Sequence, residues 1–246
     1  MATKQTTPAP AIRTGERAPE PASSDREVAD FIEHVRAATP ARMGTGNGRL
    51  LFAMDATMSR QPTWDMALAL QADMFGAVKA VGGLDVQLCY FRGFGECRAS
   101  KWVSDPEALA RLMTKVSCRG GYTQIAKVLA HAKREAEGGG IDALVYVGDC
   151  MEEDIDQLAA LAGELALSGV PVFLFQEGRN TRAERAFKEI ARLTRGAHCR
   201  FDQGSARQLR DLLTAVAVYA AGGRAALEDL SSSKGGQARA LLEQLR

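Results

Sequence analysis

Five short apolar runs punctuate the chain, at residues 50–54, 86–91, 143–147, 170–175 and, more weakly, 197–201. Each has the length of a strand and little polar alternation, the pattern of strands buried on both faces. Between them lie longer stretches with apolar residues at helical spacing. Residues 62–81 carry Trp64, Leu68, Phe75 and Val78 and stop at Gly82-Gly83, where glycine tolerates the left-handed conformation of a helix terminus. Residues 106–116 predict a short helix. Thr123 opens another, whose Ile125, Val128, Leu129 and Ala132 share a face and which ends at Gly138-Gly139-Gly140. Helices are also expected over 154–167, 182–193 and 209–219. Arg92-Gly93-Phe94-Gly95 is a turn signal, from which residues 97–103 pair back as a hairpin. Strands alternating with helices imply right-handed βαβ crossovers. The expected fold class is therefore α/β and doubly wound, with a mostly parallel central sheet, an antiparallel edge strand and helices on both faces.

The ends of the chain read differently. Residues 1–24 are rich in Pro, Thr, Ala and Ser, and cannot bury enough apolar surface to offset their ordering entropy, so disorder is expected. Residues 25–47 predict a helix, with Val28, Phe31, Ile32 and Val35 on one face, and then a glycine-bearing loop. The globular domain is expected over 48–221. Residues 222–236 read as a flexible Gly/Ser linker, and Ala238, Leu241, Leu242 and Leu245 as one stripe of a short C-terminal helix, completing 222–246.

Composition adds mainly exclusions. The 246 residues are 46% hydrophobic and 25% charged, with a net charge of +1. This supports one sizeable core and gives no bulk attraction to nucleic acid or anionic membrane. No run approaches a membrane span, and the N-terminus lacks the apolar core of a secretory signal, so a cytoplasmic location is expected. Five cysteines (Cys89, Cys97, Cys118, Cys150 and Cys199) form no CxxC pair, and most are expected to be buried thiols. His34, His131 and His198 are scattered.

In an open α/β sheet, ligands sit beyond the carboxyl ends of the strands, near the switch in strand order. The first apolar run is followed by Asp55, Thr57 and Ser59, whose alternation lets three oxygen-bearing side chains converge. Asp149 follows the third run, and Thr123 ends a glycine-rich loop. All five offer hard oxygen, which selects Mg²⁺, Mn²⁺ or Ca²⁺ over softer metals. A cation held largely by neutral hydroxyls stays electrophilic and accepts one more anionic oxygen from outside. Taken singly, Asp55 also reads as a loop aspartate and Ser59 or Thr123 as a helix N-cap. Glu152, Glu153 and Asp154 read as acids favoured at a helix N-terminus. Cys150 reads as an inert thiol, and Arg119 as a solvated arginine.

Asp55-x-Thr57-x-Ser59, Thr123 after Gly120-Gly121, and Asp149 after a buried strand resemble the metal-ion-dependent adhesion site of the von Willebrand factor A family, across residues 48–221. The family's first motif is Asp-x-Ser-x-Ser, and Thr57 keeps the hydroxyl. Its last motif is often Thr-Asp-Gly, where this chain has Gly148-Asp149-Cys150. The resemblance implies a Rossmann-like fold and assigns Asp55, Thr57, Ser59, Thr123 and Asp149 to a divalent cation, Mg²⁺ or else Mn²⁺ or Ca²⁺. It also implies a non-enzymatic interaction module whose cation takes an Asp or Glu from a protein partner. Intracellular bacterial members act beside AAA+ ATPases or in stress-response complexes, so such an ATPase is an expected partner by analogy. This chain has no phosphate-binding loop of its own. The competing reading is a Mg²⁺-dependent phosphohydrolase of the haloacid-dehalogenase type, with Asp55, Thr123 and Gly148-Asp149 plus Glu153 in its site. Such enzymes need a general acid two residues after the first aspartate, and here that residue is Thr57.

Overall fold

The structure, a computed structural model, describes Asp30 and residues 46–79, 81–201 and 205–233. The expected N-terminal tail, N-terminal helix and C-terminal stripe lie outside the described residues. Six strands form one sheet: β1 (Gly48–Asp55), β2 (Leu84–Arg92), β3 (Glu96–Ala99), β4 (Ala143–Gly148), β5 (Val172–Glu177) and β6 (Ala197–Phe201), in the order β3-β2-β1-β4-β5-β6. All neighbours are parallel except β2 and β3. The helices are α1 (Gln61–Val78), α2 (Pro106–Met113), α3 (Ile125–Gly138), α4 (Ile155–Leu167), α5 (Thr181–Leu193) and α6 (Ala206–Ser233).

The lack of polar alternation in the strands follows from two cores. Leu50, Phe52 and Met54 of β1 point into one, with Val145, Val147, Phe173 and Phe175, and α1, α2 and α6 cover it. Leu51 and Ala53 point into the other, with Leu144, Tyr146, Val172 and Leu174, and α3, α4 and α5 cover it. Each strand residue thus has apolar neighbours whichever way it points. Trp64 locks α1 to α2 by donating its indole N–H to the Met113 carbonyl at 3.1 Å.

The hairpin and the last helix differ from the sequence expectation. Pairing in β3 ends at Ala99, and Val103 returns only as an isolated bridge to Val86. The last helix starts at Ala206, and helical backbone runs on to Ser233, broken at Gly223 by a φ of 65°. A kink therefore stands where a linker is expected, because only the backbone of glycine takes that angle without strain.

The winding reverses at β1. From β1 the chain moves first to β2 and β3, then returns to β4 on the other side. The connections leaving β1 and β4 diverge there and open a crevice at their carboxyl ends.

Replacing Phe52, which is fully buried, by Ala should lower the unfolding free energy by about 3–5 kcal/mol. Leu167→Ala, at a position 90% exposed, should stay within about 0.5 kcal/mol of the parent. Urea denaturation of the two variants checks both, and a Phe52→Ala variant as stable as Leu167→Ala would contradict the assigned core.

Candidate metal centre

Asp55 is the last residue of β1 and is 1% exposed. Its Oδ1 accepts the backbone N–H of Thr57 at 2.7 Å, and the Thr57 side chain also bonds to it. Its Oδ2 is buried and accepts no donor. The next residue is held from two sides: the Ala56 N–H donates to the Phe91 carbonyl at 2.9 Å, and the Arg119 N–H donates to the Ala56 carbonyl at 2.9 Å. Arg119 thus presents its exposed side chain while its backbone pins the motif.

Met58–Arg60 form a single 3-10 turn. This turn aims Ser59 across the crevice, where its hydroxyl meets Asp149 Oδ2 at 3.1 Å. Ser59 is therefore not a helix cap; α1 has none from a side chain. Asp149 Oδ1, like Asp55 Oδ2, is buried and accepts no N–H or O–H donor. One carboxylate oxygen from each aspartate and the Cys150 sulfur lie within 4.8 Å of one another.

Thr123 reaches this end of the sheet by a different route. Its N–H donates to Glu152 Oε2 at 2.8 Å, and its hydroxyl accepts the Glu152 N–H at 3.1 Å. Nor does Thr123 cap α3; Glu153 does, accepting the N–H groups of Ile125 and Ala126. Of the three acids after Asp149, only Asp154 caps its own helix, α4. Glu152 and Glu153 instead clip the Thr123 loop to the β4 loop, with Glu153 at the N-terminus of α3 rather than of α4 and Glu152 on Thr123. Gly121 allows the loop to pass under the hairpin turn, since a Cβ there would lie 2.0 Å from the Gly93 carbonyl oxygen.

Sequence reasoning missed Arg60. Its side chain is 3% exposed, with Nη1 3.2 Å from Asp149 Oδ2 and Nη2 bound to Glu177 and Thr63. Glu177 closes β5, also buried, and Thr63 donates to it. No local signal marks an arginine on an exposed-looking turn as a buried counter-ion for residues so far along the chain.

The electrostatics follow from this packing. Burial pushes the Asp55 carboxyl up to about 6, opposed by its Thr57 bonds and reinforced by the charge of Asp149. Burial also raises Asp149, but the Arg60 charge and the bonds from Cys150, Arg60 and Ser59 outweigh it and hold it below the usual carboxylate range. Three carboxylates, on Asp55, Asp149 and Glu177, face one guanidinium. When ionised they leave two negative charges uncompensated, the amount that a divalent cation neutralises. Two buried carboxylate oxygens without donors are costly unless something positive meets them. The residues present therefore fit a divalent cation, with Asp55, Ser59 and Asp149 around it, Thr57 at its edge, and Cys150 as a sulfur the sequence did not assign.

No protein-family model matches the sequence, and no curated protein does. Solved structures do. A von Willebrand factor type A protein from Catenulispora acidiphila superposes with a TM-score of 0.55 at 16% identity, over 69% of this chain and 42% of that one. The SpRpn10 VWA domain matches with a TM-score of 0.54 at 12% identity, over 68% of this chain and 94% of that one. This chain has a von Willebrand factor A fold. Proximal thread matrix protein 1 from the mussel byssus, described with a zinc-occupied metal-ion-dependent adhesion site, matches with a TM-score of 0.56 at 15% identity, over 70% of this chain and 46% of that one. The match thus spans less than half of the Catenulispora and mussel chains. Among the described residues, no helix is long and apolar enough to cross a membrane.

The raised Asp55 pKa has a sign that can be tested without metal. The neutral form is favoured in the fold, so its contribution is fully present below the ordinary value of 3.8 and is lost as pH rises through about 6. Above that pH the ionised carboxylate costs about 3 kcal/mol. In EDTA at neutral pH, Asp55→Asn should therefore be more stable than the parent by about 1–3 kcal/mol, with the gap closing towards pH 4. Thermal unfolding across this range measures it; a variant less stable at pH 7 would refute the buried, uncompensated carboxylate.

Proposed function

We propose that this chain is a metal-dependent protein-interaction module. A divalent cation, Mg²⁺ or else Mn²⁺ or Ca²⁺, sits at Asp55, Thr57, Ser59, Thr123 and Asp149 and takes an aspartate or glutamate of a protein partner as its outer ligand. The single observation that carries the reading is the pair of buried carboxylate oxygens without donors, on Asp55 and Asp149, at the switch point of the sheet. When bound, the cation supplies an electrophile for an incoming carboxylate; the chain's residues position it and keep water from its inner side. Thr123 would serve through the oxygen that already meets the Glu152 N–H.

The surface around the site also favours recognition. Met58, Phe94 and Tyr122 are 65%, 81% and 61% exposed, and the Phe94 and Tyr122 rings meet edge-on with centroids 5.3 Å apart. Met58 lies within the first motif, and the Tyr122 N–H is bonded to the Gly93 carbonyl. Exposed aromatic and methionine side chains beside a polar anchor are the composition of binding surfaces. Where a phosphohydrolase needs its general acid, two residues after the first aspartate, stands Thr57, a hydroxyl bonded to Asp55 rather than a carboxylic acid. An AAA+ ATPase in a bacterial cytoplasm remains the partner proposed by analogy.

Calorimetric titration of the EDTA-treated chain with MgCl₂ should give one site, lost in Asp55→Ala and in Asp149→Ala. Partner capture should disappear in EDTA and return with Mg²⁺, while Phe94→Ala with Tyr122→Ala should weaken capture by about tenfold or more without changing Mg²⁺ binding. Unchanged capture by Asp55→Ala, or Mg²⁺-dependent release of phosphate from p-nitrophenyl phosphate abolished by Asp55→Asn, would sink the reading.

Cys150 bears on which metal is held. Thiolate is a soft ligand that favours zinc over magnesium. If it ligates, Cys150→Ser should weaken Zn²⁺ binding by about tenfold or more and leave Mg²⁺ unaffected. Equal Zn²⁺ affinity in the variant would leave an all-oxygen site.

A further inference from the structure

A second cluster lies away from the metal centre, on the α3 side of the sheet edge. The residues Cys89, Cys97, Arg98, Lys127, His131 and Arg134 line a cavity of about 190 Å³ between the β2–β3 hairpin and α3. Cys97 is half-buried on the edge strand, while Cys89 beside it is fully buried. The Cys89 thiol is hydrogen-bonded to Cys97.

Two of the cations are not neutralised. The Lys127 ammonium donates to the Gly95 carbonyl at 2.9 Å and to Gln124 Oε1 at 2.8 Å, both uncharged acceptors. Arg134 makes no ion pair among the described residues. Arg98 is paired with Glu96. Burial lowers the basicity of His131, which shares a hydrogen bond with Gln87, so it adds no charge at neutral pH. Glu153 opposes the cations from one side, but its carboxylate is occupied at the start of α3.

We propose that Cys97 is a thiol-modification site that exchanges with anionic low-molecular-weight disulfides, with Lys127 and Arg134 receiving their carboxylates. A partly exposed thiol beside cations is the setting of a reactive cysteine, because the thiolate is the nucleophile. The hydrogen bond from Cys89 and the charges of Lys127 and Arg134 lower the Cys97 thiol against the opposing effect of burial. The other cysteines are set against reaction. Cys89, Cys118 and Cys199 are buried, and burial pushes Cys118 up to about 11. Cys150 is raised by burial and by the charge of Asp149.

The step is a thiol–disulfide exchange. The Cys97 thiolate attacks one sulfur of R–S–S–R, the Cys97–S–S–R bond forms and the original S–S bond breaks. R–S⁻ leaves with the electron pair, so Cys97 is oxidised and the leaving thiol reduced. Cys89 is poorly placed to resolve the product. It stands opposite Ala99, while Cys97 stands opposite Phe91, so the two are diagonal across the ladder. Diagonal neighbours lie at the edge of ordinary disulfide geometry and Cys89 is fully buried, so resolution of the mixed disulfide is slow.

The test uses the full chain with the bis-nitrobenzoate disulfide, which carries two carboxylates, and with the neutral dithiodipyridine. One fast thiol per chain should react, mapped to Cys97 by peptide mass spectrometry and absent in Cys97→Ser. Lys127→Ala with Arg134→Ala, both at exposed positions, should slow the anionic reagent by about tenfold and the neutral one by less than about twofold. First labelling at Cys150 or Cys118, no thiol faster than those of the urea-unfolded chain, or equal slowing of both reagents would overturn the proposal.

Discussion

A carboxylate held out of water at the end of β1 sets the terms for this end of the molecule. β1 is one of the two central strands, paired on both sides and covered on both faces, so its last residue inherits that burial. Asp55 pays in desolvation, visible in its raised pKa. Of its two oxygens, the Thr57 N–H satisfies one and leaves the other without a donor. Everything around it responds. The turn at Met58–Arg60 swings Ser59 and Arg60 towards Asp149, and the Thr123 loop is clipped alongside through Glu152 and Glu153.

Arg60 gives the site a fixed internal charge. It bridges Asp149 and Glu177, joining the loops after β4 and β5 to the motif after β1. A guanidinium is always charged and its fork spans two carboxylates, so it can brace the crevice walls at any ordinary pH. It does not balance the site by itself, because three carboxylates face it. The residual charge is what makes a divalent cation, rather than a purely structural ion-pair network, the reading that accounts for the orphaned oxygens. Breaking a buried pair of this kind by removing one partner strands the other charge, so Arg60 and Glu177 belong to the frame of the site as well as to its field.

Proximal thread matrix protein 1 from the mussel byssus is described with zinc in its own metal-ion-dependent adhesion site. In this chain the sulfur of Cys150, where the family often has glycine, is the feature that would tilt the choice of metal. Burial, with the charge of Asp149 beside it, keeps that residue from acting as a free nucleophile, whereas the hydrogen bond from Cys89, with Lys127 and Arg134 nearby, favours the thiolate of Cys97. Two half-buried thiols in one domain thus differ in character first through burial and hydrogen bonding, and second through the sign of the charge beside them.

Most of the architecture was legible in the sequence. Runs such as 50–54 and 143–147, unbroken by polar residues, require a sheet buried on both faces, and the alternation with helices requires parallel crossovers. The spacing Asp55-x-Thr57-x-Ser59 after such a run, with Asp149 after another, marked four of the groups that the fold brings together. These signals are local, with periods of two or nearly four residues. What the tertiary structure alone decided is non-local. Arg60 meets Glu177 across 117 positions and Asp149 across 89, Glu152 engages Thr123 across 29, and Cys97 lies beside Lys127 and Arg134 of another element. No pattern within a window of one helix or strand carries such pairings, because they depend on strand order and on where each loop turns. The helical continuation past Gly222-Gly223 belongs with them: composition there favoured a linker, and the backbone kinked and carried on.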